Sequence, residues 1–279
     1  MLSRARSFLL AYVAATVGGV GAFGSSALTI GLPAVFLALL ADGVLRADSK
    51  VLIRMRRHGP RDEARVALTF DDGPDPDVTP DVLDALAKHG ARATFFTIGR
   101  ALEAHPDLAR RLVAEGHELG NHSWRHARWD SFRTSIAEQG SEIDRGERAI
   151  AAVTGSRARP TYRPPFGVKS PPFVEAARER NLDLVAWSLH SGDTRLSDAD
   201  RIADRVLRRI RGGDIVVMHD GHDLPRRHRS ACGEALPKIL AGLRERGFEC
   251  VTISELLRLG ARREQAADRS ARGVREEAL

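Results

Sequence analysis

From Val66 onward, short apolar runs alternate with helical patterns at a fairly even spacing, and that order restricts the chain to few folds. Residues 66–70 read as a strand, 79–88 as a helix, 93–98 as a strand and 106–115 as a helix. Further strands are expected at 184–187, 215–218 and 248–252, with helices between them. Repeated strand-helix order favours parallel strands joined by helical crossovers, in an α/β sheet or barrel. With 279 residues, 43% of them hydrophobic, the chain can bury one full-sized core and still carry appendages.

The polar residues fall where such a fold concentrates its chemistry, just after the apolar runs, at the C-terminal ends of strands. Asp71 and Asp72 follow the first run, Asp193 comes after residues 184–188, and His219 ends residues 215–218. Neighbours on a strand point to opposite faces. Both acids of Asp71-Asp72-Gly73-Pro74 can therefore face one site only if the turn swings one of them round. Adjacent carboxylates repel, and a cation is the usual relief. His122 and His126 stand four apart, a spacing at which two imidazoles from one helical turn can meet one metal. One Asp with two His leaves a coordination position open for water, as in a catalytic zinc site. Alone, the first motif also fits an ordinary turn and the second a solvated pair; Arg163-Pro164-Pro165-Phe166-Gly167, Asp193 and His219 add weight to the chemical reading.

In order and spacing these residues resemble the five motifs of the polysaccharide deacetylase family with the NodB homology domain, carbohydrate esterase family 4. Thr69-Phe70-Asp71-Asp72-Gly73-Pro74, His122-Ser123-Trp124-Arg125-His126 and Arg163 to Gly167 match the first three in full. The fourth departs, with Asp193-Thr194 where Asp-Trp is common, and the fifth has Val217 where Leu is usual. The resemblance covers roughly residues 62–260 and implies a distorted (β/α) barrel of fewer than eight strands. It implies metal-dependent removal of N-acetyl groups from amino sugars of peptidoglycan or a chitin-like polymer. Asp72, His122 and His126 would hold one divalent metal, zinc by ligand type, with cobalt or another divalent ion as alternatives. By the same resemblance Asp71 is the base, the Phe166 N–H assists the carbonyl, and His219 is the acid. Asp193 would orient or charge His219, and Arg163 would pair with Asp71. A deacylase or deformylase of a membrane lipid-linked aminosugar stays open, as does a tethered saccharide-binding protein whose catalysis has lapsed.

Ahead of this region no charge occurs between Arg6 and Asp42. As one helix, a stretch of about 35 residues would be about 52 Å long, against a hydrocarbon core of about 30 Å. One tilted span or a hairpin turning at the central Gly and Ser residues is expected, anchoring the protein in the cell membrane. The expected parts are a basic start (1–7), a membrane segment (8–45), a basic linker (46–61), the deacetylase-like domain (62–260) and a charged tail (261–279). Arg46, Lys50, Arg54, Arg56 and Arg57 follow the segment against Arg4 and Arg6 before it, which favours a cytoplasmic domain; a large domain can cross despite such charges. The side of the membrane is left open, extracytoplasmic if the substrate is wall polysaccharide.

The net charge of +6 is spread among acids, so a nucleic-acid partner is not expected. Arg226, Arg227 and Arg229 are expected in a loop near the site, where they could attract an anionic substrate. Cys232 and Cys250 are expected as free thiols, since a helix and a returning strand separate them. Trp187 reads as packing at a strand end and His117 as structural, while His190 and His222 are left unassigned.

Overall fold

The computed structural model describes residues 26–127, 130–156, 160–221 and 226–258. Six strands are found among them: β1 (Arg65–Asp71), β2 (Thr94–Thr97), β3 (Glu118–Asn121), β4 (Leu189–His190), β5 (Ile215–His219) and β6 (Glu249–Cys250). The longer helices are α1 (Ser26–Leu45), α2 (Thr79–Lys88), α3 (Gly99–Ala104), α4 (Pro106–Ala114), α5 (Ile136–Thr154), α6 (Pro171–Glu179), α7 (Ala199–Arg209) and α8 (Arg226–Glu245). Every ladder is parallel, in the order β3-β2-β1-β5-β4, with β6 beside the start of β1. The sheet curls round, because Asn121 bridges Tyr162, Tyr162 bridges Leu184, and the chain from Leu184 runs on into β4. The expected parallel α/β architecture with fewer than eight strands is thus present, its ring completed by single bridges.

The expected strand at 184–187 is not a ladder strand. Leu184 and Val185 make isolated bridges, and regular pairing begins at Leu189. The run is apolar because Leu184, Val185 and Ala186 are buried between two core clusters, and burial alone gives the same pattern as a central strand. By contrast α2 spans the residues expected of it, with Pro80 in its first turn and apolar Val82, Leu83 and Leu86 on the buried face.

Strand β1 has water on neither face, as a central parallel strand should. Its alternation sorts side chains between two cores. Val66, Leu68 and Phe70 pack outward under the helices, whereas Ala67 shares the inner cluster with Phe96 and Ile215. Thr69 and Asp71 follow Ala67 at the period of two, so they lie on the inner face. In the parallel register Asp71 stands opposite His219, which places both at the same end of the same face. Register therefore joins an acid and a histidine 148 positions apart in sequence.

Of the expected membrane segment, residues 8–25 lie outside the described residues, as does the tail from 259. Helix α1 carries exposed Val35, Leu37 and Leu39 (58%, 61% and 46%), and its far end is buried at Val44. Among the described residues no helix is long and apolar enough to cross a membrane. Cys232 and Cys250 are both free, as expected.

Candidate active site

Asp72 leaves β1 with φ 77°, the left-handed backbone that rotates its carboxylate toward the side Asp71 already faces. The acids thus come to one site through the turn, as the motif requires. Left-handed backbone is unusual for a residue with a Cβ, and four of the five such residues described are at this site: Asp72, Ser123, His126 and Phe166. Strain of this kind costs about 1–3 kcal/mol per residue and persists where the surroundings over-determine it.

His122 and His126 are not on a helix. Both lie in the loop after β3, where Ser123 (φ 70°) and His126 (φ 57°) reverse the chain and the Ser123 hydroxyl accepts from the His126 N–H at 3.0 Å. The rings still converge, 4.9 Å apart. His122 Nδ1 lies 2.7 Å from the Arg163 carbonyl, which must accept a proton there, so Nε2 is left with its lone pair toward Asp72. Asp72 Oδ1 stands 3.0 Å from His126 Nε2 and 3.4 Å from His122 Nε2.

That oxygen is buried and has no hydrogen-bond partner of acceptable geometry. An orphaned carboxylate oxygen facing two imidazole nitrogens is the arrangement a divalent cation satisfies. One ligand atom from each of Asp72, His122 and His126 lies within 4.8 Å of the others, and all three residues are buried. The donor set therefore fits the metal. Burial alone would raise the Asp72 pKa, but His122, then His126 and His219, hold it well below the usual carboxylate range. It is a ready anion for a cation.

Two charge pairs flank this group. Arg163 is completely buried, donating to Asp71 Oδ1 at 2.6 Å and Thr69 Oγ1 at 2.8 Å, with the Phe96 ring 3.9 Å from its guanidinium carbon. On the other side the fully buried Asp193 accepts from the His219 backbone N–H at 2.6 Å and lies 3.0 Å from His219 Nδ1. Burial disfavours the charged imidazole, yet Asp193, with Asp72 and Asp71 behind it, raises the His219 pKa to about 10. Phe166 (38% exposed) packs tilted against His126, ring centroids 4.5 Å apart, and forms the rim.

The remaining sequence candidates separate. Trp187 packs on Gly167 and lies near Arg163, as a packing residue would. His117 is buried against Ala93 and Phe95, away from the cluster, and burial lowers its pKa. His190 stands beside His219, 5.8 Å between rings. His222 lies outside the described residues. Arg226, Arg227 and Arg229 open helix α8 rather than a loop; their side chains are outside the described residues.

Sequence reasoning missed Asp220. It is buried, accepts from the Thr79 hydroxyl at 2.7 Å, and packs so closely on the motif turn that a Cβ at Gly73 would fall on its carboxylate. Burial, aided by Asp72 and Asp71, raises its pKa to about 7. Its only sequence signal is an acid directly after the strand-ending His219. Gly221 touches the Asp72 backbone in the same way. Gly221→Ala should displace Asp72 and weaken zinc binding about tenfold or more, on the scale of losing a ligand's support, in a calorimetric titration.

The polysaccharide deacetylase family model matches residues 58–185, which contain the first three motifs. A peptidoglycan-N-acetylglucosamine deacetylase of Bacillus cereus is 36% identical over 201 residues, 71% of this chain and 91% of its own. The chain belongs to the polysaccharide deacetylase family. Among family members, a chitooligosaccharide deacetylase of Bradyrhizobium is 38% identical over 68% of this chain and 90% of its own length. The fold also matches the crystal structure of a peptidoglycan N-acetylglucosamine deacetylase in complex with 4-naphthalen-1-yl-N-oxidanyl-benzamide. That match has a TM-score of 0.67 and 31% identity, covering 73% of this chain and 92% of the other. As a polysaccharide deacetylase the chain is a hydrolase.

The buried Arg163–Asp71 ion pair has a measurable signature. Arg163→Met leaves Asp71 buried without its partner, which should cost about 3–5 kcal/mol of stability. Urea denaturation of the two proteins at neutral pH gives the difference.

Proposed function

We propose that this deacetylase removes N-acetyl groups from amino sugars of peptidoglycan or a chitin-like polysaccharide, with one divalent cation held by Asp72, His122 and His126. The observation that carries the reading is the orphaned Asp72 oxygen facing two imidazoles, set between the Arg163–Asp71 and Asp193–His219 pairs. When bound, a cation at these ligands lowers the pKa of its water and draws electron density from an amide oxygen.

The chain's own residues supply the proton transfers. Asp71, kept ionised and aimed by Arg163, accepts a proton from the attacking water. The Phe166 N–H donates to the oxygen that becomes negative as the carbonyl carbon turns tetrahedral. His219 then gives its proton to the sugar nitrogen as the carbon-nitrogen bond breaks, and acetate leaves. Asp193 fixes the ring and keeps it protonated, so that the departing group is a neutral or protonated amine rather than an amide anion.

That role sets a pH dependence. A group that must be protonated to act loses activity as pH rises through its pKa. Asp193→Asn removes the main influence raising the His219 pKa, so the alkaline limb of the kcat profile should move to lower pH by at least about one unit. An unmoved limb would take the acid role from His219.

We also place the protein at the cell membrane, with the deacetylase domain outside if the substrate is wall polysaccharide. The uncharged stretch up to Asp42 and the exposed Val35, Leu37 and Leu39 on α1 support an anchor. Recovery of the full chain in the membrane fraction after a high-salt wash is the expected result; recovery in the soluble fraction would count against it. For the activity, purified full chain is incubated with oligomers of N-acetylglucosamine and the products are weighed by mass spectrometry. Stepwise loss of acetyl groups with intact chain length is expected, and unchanged oligomers would refute the reading.

A further inference from the structure

Lys169 is a long cation with no exposed surface, two residues beyond the Phe166-Gly167 rim, and the proposed chemistry makes no use of it. Its ammonium donates to the Ser49 carbonyl at 2.8 Å and its backbone N–H to the Val44 carbonyl at 2.9 Å. Val44 is in the last turn of helix α1 and Ser49 in the chain that leaves it, about 120 positions earlier. Burial lowers the Lys169 pKa, against the pull of Asp42 and Asp48 on the same segment. Among the described residues Ser49 O is the one hydrogen-bond acceptor of an ammonium that has three protons to give. Such burial is costly, and a methionine of similar length would fill the space at lower cost. Stability therefore does not account for a lysine here.

The segment it holds reaches the catalytic loop. Ala47 packs against Gly167, 2.9 Å from where a Cβ would lie, with Trp187 against the same glycine. Gly167 itself has φ 67° and follows Phe166 at φ 58°, two left-handed residues in succession. Within the loop, hydrogen bonds from Gly167 to Pro164 and from Val168 to Pro165 define the turn. What braces it from outside is the segment from Val44 to Ser49, fastened by both ends of Lys169. Ser170, next in sequence, caps helix α6 and fixes the far side.

We infer that Lys169 is a positioning residue that clamps residues 44–49 onto the Pro165–Gly167 turn, making the chain ahead of the barrel a working wall of the active site rather than a spacer. The clamp acts through Phe166, whose N–H must stand where the oxyanion forms; the inference rests on the deacetylase reading to that extent. A shift of about 1 Å in such a donor can cost about a hundredfold in rate. The metal ligands lie on other segments and meet this loop only at the Phe166 ring and the Arg163 carbonyl, so zinc affinity should change far less than turnover.

The test compares full-length wild type, Lys169→Met, Lys169→Arg and Ala47→Gly in deacetylation of N-acetylglucosamine oligomers, with zinc affinity and melting temperature measured on the same preparations. Wild-type turnover comes first, since its absence would sink the deacetylase reading and not the clamp. Lys169→Met should melt no lower than wild type, bind zinc with nearly unchanged affinity and keep its KM, yet lose about tenfold or more in kcat. Lys169→Arg, which keeps a donor, should recover part of that loss. If Lys169→Met does not fold, Ala47→Gly decides, with a severalfold fall in kcat at constant KM expected from the lost contact on Gly167. Wild-type kcat in the folded Lys169→Met protein, or in Ala47→Gly should the former not fold, overturns the clamp. An equal loss in zinc affinity would also overturn it, by making the effect a general disturbance of the site.

Discussion

Asp71→Asn should keep its metal and lose turnover by about 10²- to 10⁴-fold, the range for removing a general base. The exchange is nearly isosteric, and the amide oxygen can still accept from Arg163, which lies 2.6 Å from Asp71 Oδ1. What disappears is the charge proposed to take the proton from water. Asp71 Oδ2 stands 4.0 Å from His122 Nε2, farther than Asp72 Oδ1 at 3.4 Å, and only Asp72 also approaches His126. Metal content by elemental analysis and kcat on the same sample check both halves. Loss of the metal together with activity would make Asp71 a ligand and require another base. The buried Arg163 also loses its counter-ion, so this variant should be less stable than wild type, though folded.

Asp72→Ala, His122→Ala and His126→Ala should each lose the metal. Removing one of three protein ligands leaves a pair, and the affinity should fall by more than the 10- to 100-fold associated with outer partners alone. Activity falls with it. His122→Ala has a second consequence, because the Arg163 carbonyl loses the imidazole that donates to it at 2.7 Å. Asp72→Ala should not relieve the backbone strain, since φ 77° disfavours alanine at least as much as aspartate. Zinc titration of the three variants at one pH separates ligand loss from misfolding when circular dichroism is unchanged.

The chemistry of this site was legible in the sequence to different depths. Asp71 and His219 could be placed together because both end apolar strand runs, and parallel register does the rest. The His122–His126 pair was legible as a pair and misleading as a helix. A spacing of four also fits a loop in which two residues, Ser123 and His126, take left-handed backbone, and nothing in the intervening Ser-Trp-Arg announces that. The run at 184–187 read as a strand because burial between two cores gives the apolar pattern without the hydrogen-bond ladder. Asp220 and Lys169 were illegible for a different reason. Their partners, Thr79 and Ser49, lie about 140 and 120 positions away, and a lysine or an aspartate outside any motif carries no mark of being buried. In the sequence Thr69 stands out only as part of a motif, yet its hydroxyl accepts from Arg163 and donates to the Val216 carbonyl at 2.7 Å, tying the ion pair to β5.

Three buried side chains, Asp72, His122 and His126, are proposed to hold a metal on which hydrolysis depends. Full-length protein is stripped with a strong chelator, dialysed, and assayed on N-acetylglucosamine oligomers while zinc is added back in measured amounts. Negligible turnover is expected in the stripped protein, with recovery that rises linearly to a break at about one zinc per chain, the stoichiometry of a three-ligand site. Undiminished deacetylation by protein shown to contain no metal would contradict it.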